Sequence, residues 1–109
     1  MKIEIKKEAF KHFNLSPISE EQFMQLLKLK LGQDYYASRK YWLCQQWNGE
    51  VCLFRAQPNP SHDKKDTENG YNWWDFSHEE NILTLEKNPN WENAIVEIEV
   101  VKEIEDENI

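Results

Sequence analysis

Glycine is scarce in this 109-residue chain: three occur, beside four prolines and two cysteines. So few glycines exclude a glycine-rich loop that cradles phosphates, and so few prolines leave no low-complexity linker. Two cysteines, Cys44 and Cys52, are too few for a disulfide-built scaffold. No apolar run approaches the ~20 residues that a membrane-crossing helix needs. The opening Met1-Lys2-Ile3-Glu4-Ile5-Lys6-Lys7 has no apolar h-region, so the expectation is a cytoplasmic protein with reduced thiols. No internal repeat is present.

Acid, aromatic rings and an ordering of charge are what the chain has in excess. Twenty Asp/Glu stand against thirteen Lys/Arg, a net charge of −7. Residues 1–40 carry eight bases against five acids, whereas residues 68–109 carry Lys87 and Lys102 against twelve acids. The stretch 41–67 is balanced, with three of each. Such sorting speaks to partners and association rates rather than to fold. Five Trp, four Tyr and five Phe give a small chain the means to build a core from large rings.

The length fits a single domain over 1–109, with a mobile loop near 57–70 and an acidic tail near 103–109. Residues 6–13 place Ala9, Phe10 and Phe13 at helical spacing, which predicts a short first helix ending at Asn14. A second helix starts after Ser19, where Gln22 completes a capping box, and Ile18 with Phe23 forms a hydrophobic staple. Phe23, Leu26, Leu27 and Leu31 form its buried stripe, and Gly32 stops it. Asn48-Gly49 predicts a two-residue hairpin turn joining Tyr41–Trp47 to Glu50–Ala56. That register sets Gln45 against Cys52, Cys44 against Leu53 and Trp42 against Arg55. The two cysteines then face opposite ways and stay as thiols, while Trp42 and Arg55 can form a cation–π pair.

Beyond the polar stretch Gln57–Gly70, Tyr71–Phe76 reads as a strand. Ser77-His78-Glu79-Glu80 resembles a further capping box and suggests one helical turn, followed by a strand or the end of that turn over Ile82–Glu86. Asn88-Pro89-Asn90 is a turn by its chemistry. Ala94–Val101 is a strand with Ala94, Val96, Ile98 and Val100 inward and Glu97 and Glu99 toward water. The expected fold is α+β: two N-terminal helices packed on a four- to five-stranded, mostly antiparallel sheet.

Chemistry-bearing clusters are thin. His62, Asp63, Asp66 and Glu68 share the polar loop, but Lys64 and Lys65 intervene and the spacing does not match a Ca²⁺ loop. Cys44 and Cys52 fall mid-strand, with no predictable relation to His12, His62 or His78. No catalytic, cofactor-binding or metal residue is therefore assigned, and no enzyme is expected. Tyr35, Tyr36, Arg39, Lys40, Tyr41 and Trp42 have the composition of a base-stacking surface. The acidity of the chain opposes direct nucleic-acid binding, and inward packing is the plainer reading.

The acidic half carries the functional expectation. Outward carboxylates two apart on a strand repeat at roughly 6.6–6.8 Å, a scale on which nucleic acid presents its regular charge. Asp75, Glu79, Glu80, Glu97, Glu99, Glu103 and Glu105, with Trp73 and Trp74 as anchors, are the candidate partner-binding residues. In size, acidity, α+β outline and blocks such as Lys40-Tyr41-Trp42-Leu43-Cys44-Gln45-Gln46-Trp47-Asn48-Gly49-Glu50, the chain resembles small bacterial DNA-mimic proteins. The closest type is the monomeric one that binds the histone-like protein HU. The resemblance implies an inhibitor that occupies the basic surface of a DNA-binding protein or nuclease, with no direct nucleic acid, membrane or cofactor. The Lys-rich first 40 residues depart from that pattern, and no functional residue is carried over. An immunity protein for a toxin or an anti-CRISPR-type nuclease inhibitor shares these features, and a small enzyme of unknown reaction is the alternative of another class.

Overall fold

The computed structural model describes residues 2–4, 10–33, 36–61, 72–74 and 79–102, with backbone alone for Glu4, Ser61, Asn72, Trp73, Trp74 and Glu79. The described elements, in chain order, are β1 (Lys2–Glu4), α1 (Glu20–Leu31), β2 (Arg39–Gln45), β3 (Glu50–Phe54), β4 (Asn59–Ser61), β5 (Asn72–Trp74), β6 (Glu79–Thr84) and β7 (Ile95–Val101). A 3₁₀ turn, Trp91–Asn93, precedes β7. Five strands form an antiparallel sheet in the order β1-β7-β2-β3-β6, and β4 pairs with β5 in a separate ribbon. Among the described residues no helix is long and apolar enough to cross a membrane.

The helix forms where its cap dictates. Ser19 Oγ accepts from Gln22 N at 3.1 Å, and Ser19 N donates to Gln22 Oε1 at 2.9 Å, so both arms of the capping box are made. Glu20 and Glu21 in the first turn and Lys28 and Lys30 in the last suit the helix dipole. Phe23, Leu27 and Leu31, four apart, are fully buried on one face. They pack with Tyr41, Leu43, Val51, Leu53, Ile98 and Val100 from three neighbouring strands. Leu26, expected in the buried stripe, is 42% exposed at its margin.

One α-helix, not two, is present among the described residues. Of the expected first helix, residues 6–9 lie outside the described residues; Phe10–Phe13 is a turn closed by Phe13 N donating to Phe10 O at 3.0 Å. A single turn gives the same i, i+3 juxtaposition as a helix, so the apolar spacing marked burial rather than helical length. Phe10 meets Phe13 and Phe23 edge-on, at centroid separations of 5.4 and 5.1 Å. The chain then leaves this turn to satisfy a buried amide. Gln45 Oε1 accepts from Asn14 N (2.6 Å) and Asn88 Nδ2 (2.9 Å), while Gln45 Nε2 donates to Asn14 O (2.7 Å). Asn88 Nδ2 also donates to His12 O at 2.9 Å. Gln45 and Asn88 are buried, and these bonds offset the cost of removing their amides from water.

The hairpin sits where Asn48-Gly49 placed it, but its register is one residue shorter. Observed partners are Trp42–Phe54, Leu43–Leu53, Cys44–Cys52 and Gln45–Val51. Gln46 N donates to Glu50 O at 2.8 Å, Gly49 N to Gln46 O at 3.0 Å, and Glu50 N to Asn48 Oδ1 at 3.0 Å. Gly49 alone has positive φ, +95°, while Asn48 does not. This is a three-residue loop ending in a left-handed glycine, in place of the two-residue turn that needs two such residues. The shift brings Cys44 and Cys52, both buried thiols, to one face. The expected Trp42–Arg55 pair is replaced by Arg39 over Tyr41 (5.7 Å) and Lys87 over Trp47 (4.8 Å).

Two further expectations change. Asn59–Ser61, placed in the polar loop, pairs with Asn72–Trp74. Glu79 and Glu80, placed in a helical turn, open β6, whose backbone partners are Phe54 and Leu53 of β3; Ser77 and His78 lie outside the described residues. Short β1 went unpredicted because three residues are too few to display a period.

Candidate protein-binding interface

Strand alternation divides β7 as the sequence indicates. Ile98 and Val100 are buried toward α1 and Val96 is half-buried in the same cluster, whereas Glu97 and Glu99 are exposed on the other face. Val101, on that outer face, is 39% exposed. Further along it lies a second cluster, Cys44, Cys52, Phe54 and Trp91, with Trp42, Trp47 and Ile95 packed against it. The acidic pair therefore stands beside an aromatic-rich patch whose Trp42 is only half-buried.

Sheet order decides what surrounds those acids. β7 lies between β1 and β2, whose Lys2, Arg39 and Lys40 belong to the basic first 40 residues. Lys40 is opposite Glu99, Trp42 opposite Glu97, and Lys2 opposite Val101. Lys40 Nζ reaches Glu97 Oε1 at 3.5 Å, with the two side chains 61% and 50% exposed. Charges that are sorted along the sequence are thus brought together in space. The outer face of β7 is an acidic pair tempered by Lys40 on the β2 side, while on the β1 side Glu4 is the register partner of Glu99 and Lys2 that of Val101.

The other candidate residues disperse. Glu80 is held at the seam between α1 and β6, where Lys30 Nζ lies 3.4 Å from Oε1 and the Tyr36 hydroxyl donates to Oε2. Its carboxylate is used inside the fold. Trp73, Trp74 and Glu79 are placed by backbone alone: Trp73 opposite Pro60, Trp74 opposite Asn59, Glu79 opposite Phe54. Asp75, Glu103 and Glu105, with the whole 103–109 tail, lie outside the described residues, as do His62, Asp63, Asp66, Glu68 and Tyr35.

Of the basic-aromatic cluster, Tyr36 and Tyr41 turn inward, whereas Arg39 and Lys40 are exposed and Trp42 is half-buried. Tyr36 and Tyr41 are 2% and 1% exposed and meet edge-on at 6.0 Å. Tyr41 Oη donates to Ala37 O and accepts from Ala37 N, so neither ring presents a face to a base. A shallow groove of about 330 Å³ runs between α1 and β6, lined by Leu26, Leu29, Lys30, Gln33, Ile82 and Leu83. Among the described residues that line it, Lys30 is the one ionisable group, and Glu80 engages it. Among the described residues no three His, Cys, Asp or Glu side chains gather to hold a metal ion.

The chain matches no family model, no curated protein and no solved structure. Functional argument therefore rests on the chemistry of the outer β7 face. Sequence reasoning found Glu97 and Glu99 there but missed Lys40 and Trp42 as their neighbours. Strand pairing between residues 40 and 99 leaves no local signature in either segment.

Proposed function

We propose that this is a small binding protein that meets a basic surface of another protein through the outer face of β7. One observation carries the reading. Glu97 and Glu99 are exposed on the face opposite the helix, spaced by a strand repeat and bordered by apolar Val101 and Trp42. Paired carboxylates steer a cationic partner, and half-buried rings and aliphatic groups beside them supply desolvated contact. In its sharper form the partner is a DNA-binding protein such as HU, and the carboxylates take the place of phosphates. Lys40 is then the residue that limits the mimicry, because it neutralises one end of the pair.

Titration of the protein against purified HU, by calorimetry over a range of salt, tests this directly. The expected result is binding that weakens steeply with salt and is competed by duplex DNA. Salt-dependent binding that DNA leaves untouched would move the target to a basic surface outside the nucleic-acid groove. No binding at low salt would remove HU as the partner.

A further inference from the structure

We infer that Cys44 and Cys52 are a latent cross-strand disulfide, closed when the chain folds under oxidising conditions and reopened when it refolds under reducing ones. They are the chain's two cysteines, and the hairpin register sets them directly opposite on adjacent strands. Both side chains lie in the same cluster with Phe54 and Trp91, so both point to the same face of the sheet. Each is 0% exposed.

Ladder geometry supports closure and lability together. Gln46 N donates to Glu50 O at 2.8 Å at the hairpin end, and Gln45 N turns the other way, toward Ala94 O of the neighbouring segment, at 3.0 Å. Bonds to β3 therefore come from even-numbered residues of β2, and Cys44–Cys52 is a hydrogen-bonded pair. Opposed Cα atoms at such a site lie about 5.5 Å apart, within the range disulfides span. Their Cβ atoms lie toward the upper end of roughly 4.5–5.5 Å, whereas a relaxed disulfide wants about 3.5–4.5 Å. The bond can form, but it draws the strands together and holds strain, the mark of a reducible disulfide. Gln46 Nε2, which donates to Cys52 Sγ at 3.8 Å, would keep an acceptor in the bonded state.

Burial fixes when the exchange occurs. In the folded protein a bulky oxidant has no path to either sulfur. During folding, one cysteine thiolate attacks glutathione disulfide, breaks its S–S bond and releases a glutathione thiolate. The other cysteine thiolate then attacks the protein sulfur of the mixed disulfide, forms the Cys44–Cys52 bond and releases the second glutathione. Two protein thiols are oxidised, one glutathione disulfide is reduced, and the thiol protons pass to the released glutathiones.

Refolding the full chain in glutathione buffers of increasing oxidised fraction, with acid quench and intact-mass and peptide mapping, tests this. The expected product is a monomer lighter by two hydrogens, with Cys44 and Cys52 in one linked peptide and no glutathione adduct. Unfolded and refolded at reducing, cytosol-like glutathione ratios it should revert to the dithiol, and folded protein, whether reduced or oxidised, should not exchange on the same timescale. Thiols that persist after oxidative refolding, a stable glutathione adduct, or intermolecular dimers would each overturn the inference. A disulfide that survives unfolding and refolding in reducing glutathione would overturn its lability. These readouts use the wild-type chain.

Discussion

The two faces of the sheet differ in what covers them. On one, α1 lays Phe23, Leu27 and Leu31 over Tyr41, Leu43, Val51, Leu53, Ile98 and Val100, and the burial is continuous. On the other, a smaller cluster around Cys44, Cys52, Phe54 and Trp91 gives way to exposed Lys40, Glu97 and Glu99. The first face holds the molecule together. The second has side chains to spare for a partner. The contrast also shows why charge order along a chain is a poor map of its surface: with β7 seated between β1 and β2, basic and acidic segments become neighbours.

Substitutions can break this contrast in graded steps. Phe23→Ala, in the middle of the helix-covered face, should cost about 3–5 kcal/mol in chemical denaturation, since a buried ring leaves a cavity that the core refills poorly. A cost below about 1 kcal/mol would mean that α1 is not what stabilises the sheet. Gly49→Ala should come next. Gly49 has φ +95°, and a Cβ there would lie 2.2 Å from the Leu85 carbonyl oxygen. The backbone strain alone is worth about 1–3 kcal/mol, and the loop after β6, which donates Leu85 N to Gly49 O at 2.9 Å, must also shift. Ser19→Ala removes one arm of the capping box and should cost about 1 kcal/mol, seen as a lower thermal midpoint.

The outer face should respond least. A double-mutant cycle on Lys40 and Glu97 should return a coupling of about 0.2–1 kcal/mol, falling as salt is added, because both side chains are largely in water. A larger, salt-independent coupling would make that pair part of the structural framework and weaken its claim as a binding surface.

The sequence was most legible where one local rule acted alone. The Ser19–Gln22 box located the helix start to the residue, and the alternation over 94–101 sorted inward Ile98 and Val100 from outward Glu97 and Glu99. Legibility failed where two rules compete or where partners are distant. Asn48-Gly49 signals a hairpin, but Asn48 spends its side-chain oxygen on Glu50 N, and that bond settles the longer loop. The resulting one-residue slip exchanged the faces of the two cysteines relative to each other. Phe10 and Phe13 announced burial without announcing their turn. Of the candidate site, Glu97 and Glu99 were readable from period two, whereas Glu80 was absorbed by Lys30 and Tyr36 across 50 and 44 residues of chain, a contact no local pattern encodes.

The central claim is that the carboxylates of Glu97 and Glu99 bind and that Lys40 tempers them. Affinity for HU measured side by side for the wild type, Lys40→Gln and the Glu97→Gln/Glu99→Gln pair tests it most directly. The account predicts tighter binding for Lys40→Gln and binding weaker by about tenfold or more for the double variant, equivalent to about 1.4 kcal/mol, with all three proteins folded. Unchanged affinity in both variants, or weaker binding on removing Lys40, would contradict it.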